Sequence, residues 1–391
     1  MVGPAALWPP FVKRHTQAAG KGTHALVIGV SAYDNLPPLG GDPEAPWKLV
    51  QLESAATAAL LFAEWLNEEY RSGESAPLRS LRVLLSPSNG ESQRLGERLG
   101  GAPTATMANV LNALEGWSDD LERSKGSTSL IYLAGHGVAN DAQHNLLLQD
   151  LSPKLNLTAS VNITSVLGSL EYYKLDASYA FIDTCADWLP RNRKLGSGGL
   201  ELAHELKDTV PRRGDHRFFA AARGGQAKGH PDVGSIFGHE LLHQLGKAVT
   251  RTSDGTWAVT PEILAARLTE WTKRNKTEKK WTKKNGVSFW LETRSRDTLS
   301  FQLPEGLPEG VIKVTLAPPA SAPNYTLGVF DQDDESEYGP IAFDPHPWTW
   351  PIDPGLHAVE LTPYGRPPLR RKMRTVEAYQ VQEYAFKDDQ R

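Results

Sequence analysis

Only one cysteine, Cys185, occurs in the 391 residues, so the chain forms no internal disulfide and is not a disulfide-stapled scaffold. No apolar stretch approaches the roughly 20 residues that a membrane-crossing helix needs. An excess of one charge is also missing. The 42 basic and 46 acidic residues leave a net charge of -4, which gives no global pull toward nucleic acid or an anionic membrane. There is no solenoid-type repeat and no low-complexity tract. The opening residues, MVGPAALWPPFVKRH, carry too short and too proline-broken an apolar run to read as a secretory signal. The expectation is a cytoplasmic protein of a reducing compartment, with neither nucleic acid nor membrane as partner.

What the chain does have is a regular alternation of buried-strand and helix patterns. Residues 25 to 30 (ALVIGV) form a continuous apolar run, and Leu81 to Leu85 form a second. Leu130 to Ala134 (LIYLA) and Tyr179 to Ile182 (YAFI) follow, with Arg217 to Ala222 as a fifth candidate. Between them lie amphipathic stretches. One is capped by Ser54 and carries Ala58, Leu61 and Trp65; one starts at Thr106 with Met107, Val110, Leu111 and Leu114; one carries Ile163, Val166, Leu167 and Leu170. Residues 145 to 150 read as a short excursion. Such alternation predicts an α/β fold with a mostly parallel sheet and helices on both faces. Thr260 and Pro261 open a further helix, and a basic run, TEKKWTKKNG, follows it as a solvated face or loop. From about Pro304 short alternating segments separated by Pro, Gly and Asp predict a small, C-terminal all-β sandwich-like domain.

Two of the strands end in reactive side chains. LIYLA stops at Gly135-His136-Gly137, and YAFI stops at Asp183-Thr184-Cys185. Open α/β sheets place their chemistry at the carboxyl ends of strands, and a thiol and an imidazole on neighbouring ends form a nucleophile and its base. Taken singly, a cysteine at a strand end is usually a small apolar residue, and a Gly-His-Gly turn can need its glycines for backbone reasons alone.

The pair LIYLAGHG (130 to 137) and FIDTC (181 to 185) resembles the two active-site motifs of caspase-like cysteine peptidases, especially their metacaspase and bacterial branch. The resemblance covers about residues 22 to 250. With the strand and helix patterns above, the expected organisation is an N-terminal extension (1–21), a peptidase domain (22–303, with core 22–250 and a helical, basic extension 251–303) and a β-sandwich regulatory or binding domain (304–391). The resemblance further implies Cys185 as nucleophile, His136 as base, and Gly137 with Cys185 as backbone oxyanion donors. Asp183 matches the acidic residue that draws a basic side chain beside the scissile bond, which implies cleavage after Arg or Lys of a protein substrate. The family's Asn-Asp-Ala element is not evident, with Thr57-Ala58 near the matching place, so Asp34 or Asp187 would supply the second acid. Arg223 and Gln226 match the strand end that lines the substrate. The Gly-, Pro- and Arg-rich stretch from 189 to 215 suits a mobile loop. In the family this is the processing segment, which makes Arg191, Arg193, Lys194, Arg212 and Arg213 candidates for self-cleavage. Relatives of this kind include defence and cell-death proteins, and the C-terminal domain would then receive a small-molecule signal or protein partner. Its segment FDPHPWTWPIDPG offers aromatic surface for such a contact, or core and turn.

Other readings stand beside this one. His239-Glu240-Leu241-Leu242-His243 is a literal H-E-x-x-H, the pattern of a zinc metallopeptidase, with Glu262 as a conceivable third ligand. Against zinc, Ile236, Phe237, Leu241, Leu242 and Leu245 give the same stretch an ordinary apolar helix face. An inactive fold kept as a binding module is a third reading. No cofactor is required by the peptidase reading. Calcium is suggested only by the acidic run Asp331 to Glu337, whose spacing fits no calcium loop.

Overall fold

The computed structural model describes residues 12–14, 21–41, 49–72, 77–139, 143–152, 159–185, 187–188, 200, 212–221, 229–230, 233–252, 255–278, 289–295, 300–304, 308–317, 319, 324–330, 336–342, 347–366, 372–376 and 380–387. The chain divides into two compact units, Met1–Gly246 with Val259–Leu303, and Lys247–Ala258 with Pro304–Arg391.

The first half of unit one comprises β1 (Val12–Arg14), β2 (Thr23–Val30), α1 (Ala55–Glu68), β3 (Leu78–Ser86), α2 (Asn89–Leu95), α3 (Met107–Arg123) and β4 (Ser127–Gly135). It continues through β5 (Gly137–Ala139), β6 (His144–Leu147), β7 (Ser160–Asn162), α4 (Ile163–Ser169), β8 (Leu175–Thr184), β9 (Asp187–Trp188) and β10 (Gly214–Phe219). After these come β11 (Gly229–His230), β12 (Gly234–Ser235), α5 (Ile236–Leu245), α6 (Pro261–Glu278) and a strand at Trp290–Ser295. The main sheet runs β1, β3, β2, β4, β8, β10 and Trp290–Ser295. Its five inner strands are parallel, and the two edge strands are antiparallel to their neighbours.

Side-chain alternation explains why both faces carry helices. Leu26, Ile28 and Val30 of β2, Ile131 and Leu133 of β4, and Ala180 and Ile182 of β8 share one core with Val110, Leu114, Trp117 and Leu121 of α3 and with α4. On the opposite face Phe62 of α1 stacks on Tyr132 at 4.5 Å and meets Phe181 at 5.4 Å. Strands buried on both faces read as continuous apolar runs, so the α/β layering is as the sequence predicts.

Several local expectations differ. The amino end of α1 takes no side-chain bond from Ser54. Instead Ser31 Oγ accepts the N–H groups of Ala55 and Ala56, and the buried carboxylate of Glu91 accepts from Thr57 through its N–H and its hydroxyl. In α3 the core positions are Val110, Leu114, Trp117 and Leu121, while Leu111 is exposed. The fifth inner strand is Gly214–Phe219, three residues earlier than expected, because its register sets Gly214 opposite Ala177 and Phe219 opposite Ile182. The edge strands β1 and Trp290–Ser295 were not expected. For α6 the Thr260 hydroxyl does accept the Ile263 N–H, at 3.3 Å. The basic run after α6 lies mostly outside the described residues.

Unit two holds a three-stranded sheet (Trp348–Ile352, Gly310–Ala317, Val381–Lys387) and a four-stranded sheet (Ser336–Ala342, Tyr325–Phe330, Gly355–Pro363, Lys372–Val376). Both contribute to one core, including Val314, Leu327, Val359, Leu361 and Tyr384. Trp348 is buried in that core and stacks with Trp350 at 5.5 Å, so these tryptophans serve packing. Of the acidic run Asp331 to Glu337, residues 331 to 335 lie outside the described residues, and the backbone of 336 and 337 begins the strand Ser336–Ala342. Among the described residues no helix is long and apolar enough to cross a membrane.

Candidate active site

The register of β4 and β8 pairs Ala134 with Asp183 and Gly135 with Thr184. His136 and Cys185 are therefore the next residues on two adjacent parallel strands, leaving the sheet side by side at its carboxyl edge. Beyond them β5 and β9 continue in parallel, with Val138 opposite Asp187. Gly137 sits where these paths converge. A Cβ there would overlap the Cys185 carbonyl oxygen and lie 2.8 Å from Thr184 Cβ, so only glycine fits without movement.

His136 is held from two sides. Its backbone N–H donates to Tyr33 Oη at 2.8 Å, and its ring lies 5.1 Å from the Tyr33 ring. Its Nε2 is 2.7 Å from the Val50 carbonyl oxygen. A carbonyl only accepts, so Nε2 carries the proton in this contact and Nδ1 keeps the lone pair. Burial pushes the imidazole pKa below its ordinary value, with the Val50 carbonyl opposing in part. The ring is thus neutral at pH 7 and able to accept a proton. Cys185 is half-buried.

A second histidine, which the sequence reading did not single out, lies at the same turn. His144 Nε2 is 3.0 Å from the Cys185 carbonyl oxygen and 2.9 Å from Thr184 Oγ1. Its only sequence signal was membership of the excursion after Gly-His-Gly, which starts at His144 rather than Asn145.

Asp183, the next-to-last residue of β8, is buried beside the amino end of α5. It is 3% exposed; Tyr132 donates to its Oδ2 at 2.6 Å, and Ser235 donates to the same oxygen. Oδ1 has no hydrogen-bond partner among the described residues. Burial pushes this carboxyl up to about 6, with its hydroxyl partners opposing. Asp34 is exposed beyond β2 and accepts from Gln149 Nε2 at 3.0 Å. The backbone of Asp187 lies in β9, and its side chain is outside the described residues, as are Arg223, Gln226, Arg191, Arg193 and Lys194.

Arg212 and Arg213 precede β10 and so stand at the amino edge of the sheet, opposite the edge that carries Cys185. Arg212 is largely buried, donating to Ser178 Oγ at 3.0 Å with Asp215 3.8 Å away, and Arg213 lies 3.6 Å from Asp176. The structure does not bring them to the thiol. In the H-E-x-x-H stretch of α5, His239 and His243 are exposed while Glu240 is buried and accepts from Gln244. Among the described residues no three His, Cys, Asp or Glu side chains are grouped to hold a metal ion.

No protein-family model matches the chain, and no curated protein matches it. Among solved structures it is similar to caspase-1 from Spodoptera frugiperda, with 10% identity and a TM-score of 0.40 over 77% of this chain and 96% of that one.

Proposed function

We propose that the chain is a cysteine endopeptidase of caspase-like type, acting through Cys185 and His136. The observation that carries this reading is the β4/β8 register, which delivers an imidazole and the chain's only thiol to adjacent strand ends. The Val50 carbonyl fixes the ring as the Nε2–H tautomer, leaving Nδ1 to take the proton of a neighbouring thiol. A free thiol, with a pKa of about 8.5, is mostly protonated at pH 7, and a neutral imidazole partner raises its reactive fraction.

In the proposed reaction His136 takes the Cys185 proton and the thiolate attacks a peptide carbonyl carbon. The tetrahedral oxyanion accepts from the backbone N–H groups of Gly137 and Cys185; one such donor is worth ~10²–10³ in rate. Collapse breaks the C–N bond, the imidazolium returns its proton to the leaving amine, and water then hydrolyses the thioester with His136 again as base. Asp183, with one buried oxygen unpartnered among the described residues, is the residue to receive Arg or Lys before the scissile bond. The metacaspase-like preference, self-cleavage in the 191 to 194 stretch, and control through the C-terminal unit belong to the same proposal.

The test is a panel of fluorogenic peptides with Arg, Lys or Asp before the cleaved bond, presented to wild type and Cys185→Ala, each with and without a zinc chelator. Cleavage of the basic peptides that disappears in Cys185→Ala and ignores the chelator is the expected result. Activity that survives Cys185→Ala and dies on chelation would overturn it in favour of zinc.

A further inference from the structure

Cys185 directly follows β8, and its carbonyl is held by a side chain. His144 Nε2 lies 3.0 Å from that oxygen. Because the carbonyl only accepts, the imidazole donates, and Thr184 Oγ1 at 2.9 Å shares the same N–H. One ring nitrogen thus grips the last two residues of the thiol-bearing turn. The ring is positioned in its own right. The His144 N–H donates to Thr164 Oγ1 of α4 at 3.0 Å, and Phe219, the last residue of β10, faces the ring at 6.4 Å and 25°.

We infer that His144 is a positioning residue for Cys185, clamping the peptide plane that follows the nucleophile so that the thiol stays beside His136. The inference rests on the proposed role of Cys185 and deepens it. A displacement of about 1 Å at a reacting group can cost ~10²-fold in rate, so a side chain that fixes the backbone at the nucleophile acts mainly on turnover. His144 itself takes no proton in this role. It is a hydrogen-bond donor, and an amide N–H in the same place would serve.

The test compares His144→Gln, which keeps a donor near the Nε2 position, with His144→Phe, which keeps the ring against Phe219 and has no donor. Two readouts are taken on full-length protein shown to be folded by circular dichroism. The first is alkylation of the chain's only thiol by iodoacetamide across pH, which needs no substrate. The second is the kcat and KM for whichever basic peptide the wild type cleaves.

In His144→Phe the loosened turn uncouples thiol from imidazole, so alkylation at pH 7 slows by about threefold to tenfold and its pH midpoint rises. Under the same change kcat falls ~10-fold or more while KM stays within about twofold, and His144→Gln restores both. Wild-type alkylation and kcat in folded His144→Phe would overturn the clamp and leave the peptidase reading intact. A deficit shared equally by the Gln variant would also overturn it, since supplying a donor would then not restore the site. A wild type that cleaves no peptide while the alkylation contrast and its rescue hold would sink the peptidase reading and leave the clamp standing.

Discussion

Tyr33 Oη accepts the backbone N–H of His136 at 2.8 Å and donates to the Val30 carbonyl at 3.2 Å. One hydroxyl thereby ties the exit of β2 to the first residue beyond β4, in a site where burial pushes the phenol pKa up and keeps the donor protonated. Tyr33→Phe preserves the ring that faces His136 but leaves a buried N–H and a carbonyl without that partner. The expected cost is ~1–3 kcal/mol in stability, with a fall in kcat as the imidazole loses its backbone anchor. Thermal unfolding and peptide cleavage measured together check it; unchanged turnover in a destabilised protein would confine Tyr33 to a structural role.

The parallel strands were legible in the sequence because both faces of each are buried, so period-2 alternation is replaced by apolar runs such as ALVIGV and LIYLA. The edge strands β1 and Trp290–Ser295 were not, since short edges carry no such run. Local rules placed the α1 cap on Ser54, whereas Ser31 and Glu91, 24 and 34 residues distant from their partners, do the work. The same limit hid His144 and Tyr33. Each reaches the candidate site through a contact across the fold, and neither lies in a motif. Cys185 and His136 were legible because strand-end chemistry is written in consecutive residues.

At Gly137 the path after β4 lies close against the end of β8. In Gly137→Ala the added methyl meets the backbone carbonyl of Cys185 and the Thr184 side chain at its Cβ, so the turn must shift to admit it. Overpacking of this kind typically costs ~1–3 kcal/mol. Relief by displacing Cys185 would also break the His144 contact. The variant is expected to fold and to lose at least ~10²-fold in kcat. Retained activity would mean that the turn yields without moving the thiol.

Asp183 offers a pH-dependent test of specificity. With its carboxyl pushed up to about 6 by burial, it is mainly charged at pH 7.5 and mainly neutral at pH 5. Preference for Arg or Lys over a neutral side chain should therefore shrink as pH falls through about 6, seen in the ratio of kcat/KM values. Asp183→Asn should remove the preference at every pH, lowering kcat/KM for the basic peptides by ~10²-fold or more, because a buried cation loses its counter-charge. If Asp183 only anchors Tyr132 and Ser235, the variant will shift the melting temperature and leave the preference unchanged.

His216 sets an acid limit on the fold. It is fully buried on β10, stacked on Tyr179 at 5.2 Å, and among the described residues neither ring nitrogen has a hydrogen-bond partner. Burial pushes its pKa from 6.5 down to about 4, although Glu262 and Asp215 pull the other way. The unfolded chain therefore binds a proton below about 6.5 while the folded chain resists until about 4. Stability falls as pH drops through that window, by ~3 kcal/mol at most. Asp183 acts in the opposite sense over part of the same range, since its raised pKa favours the folded state as it protonates. The two are separated by comparing wild type with His216→Phe, because both proteins keep Asp183. The variant retains the aromatic stack and loses the titrating nitrogens. Its advantage in denaturant unfolding should grow steadily from pH 7 to pH 4.5. A difference that stays constant with pH would show that His216 is protonated as readily in the folded chain as in the unfolded one.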